Sequence, residues 1–114
     1  MELAVENYEA DILRVALKGR MDIVGTERIN HKLTRLIATP DRMKVILNLS
    51  DVEYMGSIGI GSIVALAKEV RRQNGRLVLF NPRPIVDTVL RTTDIDKVIP
   101  IFYKLNEAQE ALMD

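Results

Sequence analysis

Apolar residues recur with two different periods along the chain, and the change of period marks its elements. Residues 3–8 and 12–17 are short apolar-rich runs on either side of a polar segment, which predicts a β-hairpin. In residues 26–38 the apolar positions follow the i, i+4, i+7, i+8 spacing of one helix face. Thr26 is the predicted N-cap of this helix, and Pro40 is its predicted end.

Further along the chain, strands and helices alternate. Residues 45–49 are mostly apolar, which is typical of a central strand covered on both faces. The remaining predicted elements are, in order, an amphipathic helix over 60–70 ended by Asn74-Gly75, a strand at 77–80, a helix opened by 81–84, an edge strand at 98–102 and a terminal helix from about 106. The order ββαβαβαβα predicts an α/β fold, a mostly parallel sheet with an N-terminal hairpin and flanking helices. We expect one domain over residues 1–114.

Composition narrows the function classes. The 114 residues hold 16 basic and 16 acidic side chains and no cysteine. Zero net charge removes the long-range attraction that drives non-specific nucleic-acid binding. The longest uncharged stretch, residues 54–67, is shorter than the roughly 18 residues that a membrane span needs, and acidic residues stand where a signal peptide would carry basic ones. We expect a cytoplasmic protein that binds neither nucleic acid nor membrane.

Side chains for catalysis are scarce. His31 is the only histidine, and its helical position lies away from the apolar stripe. Without cysteine or a second histidine, neither a thiol triad nor a multi-histidine metal site can be assembled. Asp94 and Asp96 are predicted loop residues, and Asp51 is predicted to accept a local backbone hydrogen bond. We therefore assign no catalytic residue, no metal site and no cofactor, and we expect no enzymatic activity.

A glycine-rich stretch, residues 54–61, lies between the predicted central strand and the next helix. Such turns sit at the carboxyl ends of strands, where open parallel sheets bind ligands. A phosphate cradle is one interpretation, although the G-x-x-G-x-G spacing reverses the dinucleotide fingerprint. In a purely structural interpretation Ser57 is an N-cap, and Gly59 and Gly61 let the helix pack closely. In a third, a phosphate on Ser57 adds about −1.5 to −2 charges at a helix start and changes what docks there. The residues alone favour the structural interpretation.

Five segments in order resemble the STAS domain of the bacterial anti-sigma factor antagonist family. Residues 17–22, Leu-Lys-Gly-Arg-Met-Asp, resemble the family's L-x-G-x-x-D, and residues 55–61, Met-Gly-Ser-Ile-Gly-Ile-Gly, fall on its Met-Asp-Ser-Ser/Thr-Gly-Leu-Gly loop. Residues 45–52, 74–82 and 93–102 also follow the family pattern. The resemblance extends from about the second strand to Phe102.

This resemblance implies a small cytoplasmic regulator without catalytic activity. Family members bind an anti-sigma factor that is also a serine kinase, and phosphorylation of the first serine of the loop weakens that binding until a PP2C-type phosphatase restores it. Ser57 corresponds to that serine. The implied partner-binding residues are Asp22, Gly56, Ser57, Ile58, Gly59 and Ile60.

The chain departs from the family inside the loop, with Gly56 in place of the aspartate and Ile58 in place of the second Ser or Thr. We hypothesise that binding to a kinase-like partner persists while phosphorylation is altered or lost. The alternatives are a phosphorylation-independent STAS scaffold protein and a nucleotide-binding module that uses the glycine-rich turn. Met55, Ile58 and Ile60 either form an apolar ridge that faces a partner or belong to the core, and core burial is favoured for Ile60. Asp22 either contacts a partner or orients its own turn.

Overall fold

The computed structural model describes residues 1–9, 11–38 and 44–113. The elements are β1 (Glu2–Glu9), β2 (Ile12–Met21), α1 (Ile23–Ala38), β3 (Lys44–Met55), α2 (Ser57–Arg72), β4 (Arg76–Phe80), α3 (Pro84–Thr92), a 3₁₀ turn (Ile95–Lys97), β5 (Ile101–Phe102) and α4 (Leu105–Leu112). The strands form one five-stranded sheet in the order β1-β2-β3-β4-β5. β1 is antiparallel to β2 and the other pairs are parallel, which confirms the predicted α/β fold with its N-terminal hairpin.

The two faces of the sheet carry different helices. One face packs against the buried stripes of α1, α2 and α3 and forms the larger core, with Leu17, Leu47, Leu49 and Leu79 wholly buried. The other face packs against α4 around Ile46 and is smaller. A parallel strand with helices on both faces needs apolar residues in consecutive positions. This explains why the central strand is mostly apolar over residues 45–49.

β3 extends well beyond the predicted residues 45–49. Its pairing with β4 ends at Asn48, opposite Phe80, whereas its pairing with β2 continues to Met55, opposite Met21. The ends of β2 and β3 therefore lie side by side beyond the rest of the sheet. Asp51 lies inside this extension, and its carboxylate is 3.7 Å from the Arg83 guanidinium instead of accepting a local backbone bond.

The start of α1 differs from the prediction. Thr26 is not the N-cap, because the helix begins at Ile23 and buries Thr26 within it. The carboxylate of Asp22 accepts a hydrogen bond from the Gly25 amide at 2.8 Å and so satisfies a free N–H of the first turn. A Cβ on Gly25 would lie 2.0 Å from the carbonyl oxygen of Arg20, so this turn admits only glycine. The predicted end at Pro40 lies outside the described residues.

The C-terminal elements are joined by side chains. The predicted strand over 98–102 is reduced to Ile101–Phe102 at the sheet edge, because the amides of Val98 and Ile99 donate to the Ile95 carbonyl of the preceding 3₁₀ turn. The Tyr103 hydroxyl donates to Asp87, and Arg91 donates to both Tyr103 and Asp87. These bonds fasten α3 to the segment between β5 and α4.

Candidate functional site

Gly56 is the single residue between β3 and α2, so most of the predicted loop is helix. Ser57 is the first residue of α2 rather than its N-cap, and Gly56 supplies no side-chain cap. The Gly56 amide donates to the Met21 carbonyl at 3.1 Å, and its own carbonyl accepts from Ile60 at 3.1 Å. These two bonds fix the short connection to β2 on one side and to the helix on the other.

Gly59 and Gly61 have different roles, although the structural interpretation treated them alike. A Cβ on Gly59 would lie 2.8 Å from the Cβ of Met21, which confirms that this glycine permits close packing. A Cβ on Gly61 would meet nothing within 4 Å, so packing does not explain this glycine. Gly61 instead lines a surface cavity of about 520 Å³ between α1 and α2, which also reaches Ser57 and Ile58.

The end of β2 brings Asp22 and the start of α1 beside Ser57. A surface cavity of about 710 Å³ is lined by Asp22, Ile23, Val24, Tyr54, Gly56, Ser57 and Ile58, which together we call the Ser57 surface. Ser57 itself is exposed. Ile23 and Val24 are each 64% exposed and Ile58 is 47% exposed. Apolar side chains that contact water therefore surround Ser57.

The other predicted site residues lie deeper. Gly59 is buried and Ile60 is half-buried against the core. Met55 is buried as well, so of the three residues of the alternative apolar ridge, Met55, Ile58 and Ile60, only Ile58 is exposed. The start of α2 thus exposes Ser57 and Ile58 to solvent, while Gly59 sets how closely the helix approaches β2.

Asp22 is held as a carboxylate. The hydrogen bond from the Gly25 amide is the main cause that lowers the pKa of Asp22. Desolvation opposes it, and the nearby Arg20 guanidinium lowers the pKa further. The Nε of Arg20 lies 3.6 Å from one carboxylate oxygen while the Gly25 amide occupies the other. The turn-orienting role is therefore present, and the side chain also remains 44% exposed at the Ser57 surface.

The sequence interpretation missed Arg20 and Tyr54. They are opposite each other in the β2–β3 register, and the guanidinium carbon of Arg20 lies 4.5 Å from the centre of the Tyr54 ring. The Tyr54 hydroxyl lies 3.1 Å from the place a Cβ would take on Gly56. Only the strand register reveals this pair, because the two residues are far apart in the sequence.

His31 is exposed on α1, as predicted. Within residues 1–9, 11–38 and 44–113, no group of three or more histidine and acidic side chains is placed to hold a metal ion. None of the helices in these ranges has the length and apolar character that crossing a membrane requires.

The comparisons with known proteins bear on this geometry. The profile of the STAS domain matches residues 4–108. The chain belongs to the STAS domain family. The anti-sigma-B factor antagonist of Bacillus subtilis (strain 168) is 32% identical over 91 residues, which are 80% of this STAS domain chain and 78% of that protein. A Thermotoga maritima protein is 36% identical over 67 residues, and the match spans only 59% of this chain and 59% of that relative.

Solved structures support the same fold. The anti-sigma factor antagonist SpoIIAA in its unphosphorylated form superimposes with a TM-score of 0.79 at 23% identity, over 96% of this STAS domain and 95% of that chain. SpoIIAA in its phosphorylated form, from Bacillus, superimposes with a TM-score of 0.72 at 22% identity, over 96% and 98% of the two chains. At these identities the likeness establishes the fold alone.

Proposed function

We propose that this STAS domain is an anti-sigma factor antagonist, a non-enzymatic cytoplasmic regulator that binds a kinase-type anti-sigma factor through the Ser57 surface and the start of α2. The observation that carries this proposal is the exposed Ser57 hydroxyl, framed by the exposed apolar side chains of Ile23, Val24 and Ile58. Binding surfaces combine an apolar centre with a few polar groups that fix orientation. The names of the curated relatives, anti-sigma F and anti-sigma-B factor antagonists, support an anti-sigma factor as the partner.

The Ser57 surface is built to meet a partner as a rigid body. Three features leave Ser57 little conformational freedom. Only one residue connects β3 to α2, Gly56 makes two backbone hydrogen bonds, and Gly59 contacts Met21 closely. A preorganised surface loses less conformational entropy on binding, and more of the contact energy then contributes to affinity. Of the partner-binding residues expected from the sequence, Asp22, Ser57 and Ile58 supply contacts in this proposal, while Gly56, Gly59 and Ile60 shape the surface.

Phosphorylation at Ser57 is the proposed gate. Ser57 is the first residue of α2, and the helix has no acidic residue in its first turn. The helix dipole favours a phosphate at that position, so the modification leaves the fold intact while it places negative charge on the binding surface. A PP2C-type phosphatase would reverse it.

The departures at Gly56 and Ile58 favour one variation on this function. The kinase would meet no carboxylate at position 56, the residue before its acceptor serine, and it would meet an exposed β-branched side chain at Ile58, just after it. Partner binding without phosphorylation, as in a STAS scaffold protein, is therefore the second candidate. A nucleotide-binding module has weaker support, because Gly59 packs against Met21 and its close approach to another group is explained without a phosphate.

Intact-mass measurement and a binding assay test these candidates together. The chain is incubated with ATP and a kinase-type anti-sigma factor from the same genome, and binding is measured separately with unmodified protein. Binding together with one added phosphate, lost in Ser57→Ala, supports the gated antagonist. Binding without modification supports the scaffold function. No binding, with tight ATP or GTP binding in calorimetry, overturns the proposal in favour of the nucleotide module.

A further inference from the structure

Arg20 and Tyr54 form a stacked pair at the edge of the Ser57 surface. The guanidinium carbon lies 4.5 Å from the ring centre, in the range of a cation–π contact. The Arg20 side chain is 58% exposed and Tyr54 is 37% exposed. The Tyr54 hydroxyl makes no hydrogen bond to any residue that the structure describes. The pair therefore adds little to the core that holds the fold together.

The Tyr54 ring is held in place from both sides. Its hydroxyl lies against Gly56, at 3.1 Å from where a Cβ would be, and the Arg20 guanidinium covers the ring. Such a Cβ contact is tighter than ordinary van der Waals contact, so the absence of a side chain at position 56 makes room for the phenol. The ring and the guanidinium contact each other without a partner, and such a contact reduces the entropy lost on binding.

The Arg20 guanidinium has unused hydrogen-bonding capacity. Its Nε faces Asp22 at 3.6 Å, and among the described residues its terminal nitrogens have no hydrogen-bond acceptor. A guanidinium presents its N–H groups as a flat fork that fits a carboxylate with two parallel bonds. Asp22 is the only charged residue that lines the Ser57 surface, and its oxygens already face Gly25 and Arg20. The chemistry left over at this edge is that of a carboxylate receptor.

We propose that Arg20 and Tyr54 determine the specificity of the Ser57 surface by receiving a carboxylate side chain of the partner, next to the apolar contact made by Ile23, Val24 and Ile58. Arginine and tyrosine are among the residues that dominate binding energy at protein interfaces. The identity of the partner rests on the proposed function. A phosphate on Ser57 then weakens binding by placing like charge next to the incoming carboxylate.

The first test uses the kinase-type anti-sigma factor. Arg20→Ala is expected to weaken its binding about tenfold and to flatten the dependence of the dissociation constant on salt, because a charge pair is lost. Arg20→Lys should restore only part of the affinity, since an ammonium lacks the fork. Tyr54→Leu keeps an apolar side chain at this position but removes the aromatic ring that contacts the Arg20 guanidinium. It should weaken binding about fivefold. Arg35→Ala, at the far end of α1, removes an exposed arginine as a matched control.

A second test needs no anti-sigma factor. A capped Leu-Glu-Leu peptide at millimolar concentration is titrated into isotope-labelled protein, and NMR shifts are expected at the Arg20 Nε and the amides of residues 54–58. They should disappear in Arg20→Ala and with a Leu-Gln-Leu peptide. Equal binding of the kinase by wild type, Arg20→Ala and Tyr54→Leu overturns the inference. If the wild type does not bind the kinase, the proposed function fails, and the peptide titration alone decides whether Arg20 receives a carboxylate.

Discussion

Met21 and Gly59 touch at the junction of β2 and α2, where a Cβ on Gly59 would lie 2.8 Å from the Cβ of Met21 and 3.0 Å from its carbonyl oxygen. Met21 is wholly buried and its carbonyl also accepts the Gly56 amide, so neither atom can move aside easily. The contact fixes the distance between the helix that carries Ser57 and the strand that leads to Asp22.

Two alanine substitutions in α2 separate packing from helix propensity. Gly59→Ala should destabilise the fold by about 1–3 kcal/mol, because the added methyl group overpacks the junction with Met21. Gly61→Ala should stabilise it by up to about 1 kcal/mol, since open space surrounds that position and alanine favours the helix. Urea denaturation followed by circular dichroism measures both. Equal effects of the two substitutions would contradict the different roles assigned to these glycines.

Asp22 should make stability depend on pH in the acid range. Its pKa is lowered in the fold by the Gly25 amide and then by Arg20, so its ionised form stabilises the protein above the ordinary aspartate pKa, and this stabilisation is lost as the pH falls through the lowered value. Asp22→Asn keeps an oxygen for the Gly25 amide but has no charge. The variant should be less stable than wild type at neutral pH, and the difference should vanish well below about pH 4. A constant difference at all pH values would count against this charge effect.

The hydrogen bonds between Tyr103 and α3 should make stability depend on pH in the alkaline range, in the opposite sense to Asp22. Burial and the Asp87 carboxylate raise the pKa of Tyr103, against the smaller opposing effect of Arg91. The neutral phenol therefore stabilises the fold below the ordinary tyrosine pKa, and this contribution is lost as the pH rises through the raised value. Tyr103→Phe should cost less than about 1 kcal/mol at neutral pH because the network is partly exposed. Spectrophotometric titration should show that the variant lacks one ionisation in the most alkaline part of the curve.

The exposed apolar side chains should matter for binding and hardly at all for stability. Ile58→Ala and Val24→Ala remove contact area from the Ser57 surface and are expected to weaken binding to the anti-sigma factor by about 1 kcal/mol each. Ile85→Ala is the control, because Ile85 is 58% exposed on α3 and does not line this surface. Calorimetric titration gives the affinities. Weakening by Ile85→Ala to the same degree would place the interface elsewhere.

Charge at Ser57 should separate the effects of two substitutions on binding. Ser57→Asp adds a negative charge to the binding surface and should weaken the complex, whereas Ser57→Ala should bind like wild type. Aspartate is favourable in the first turn of a helix, so Ser57→Asp should be at least as stable as wild type in thermal denaturation. Equal affinity of both variants would exclude a charge-gated interface.

Much of the fold could be predicted because its signals are local. The apolar run at residues 45–49 and the helical spacing from Ile60 to Val70 both correspond to elements of the sheet and its helices. The boundaries of helices and strands were predicted wrongly where tertiary contacts determine them. Thr26 has the side chain of an N-cap, but the Asp22 carboxylate captures the Gly25 amide and starts α1 three residues earlier. β3 runs on because β2 continues beside it, which no local pattern within β3 reveals.

The site residues that belong to a sequence motif could be predicted. Those brought together only by the pairing register of two strands could not. The segment from Met55 to Gly61 marked Ser57, and the STAS motif around residues 17–22 marked Asp22. Arg20 and Tyr54 meet only because a bulge in the β2–β3 pairing sets them opposite each other. Gly61 and Gly59 are the same residue type in the same motif, and only the space around each position distinguishes their roles.

The sheet order β1-β2-β3-β4-β5 repeats the order of synthesis. Each new strand joins the edge left by the one made just before it, so no strand has to insert between two that have already paired. The sheet can therefore be assembled from its first hairpin onward without separating strands that have already paired.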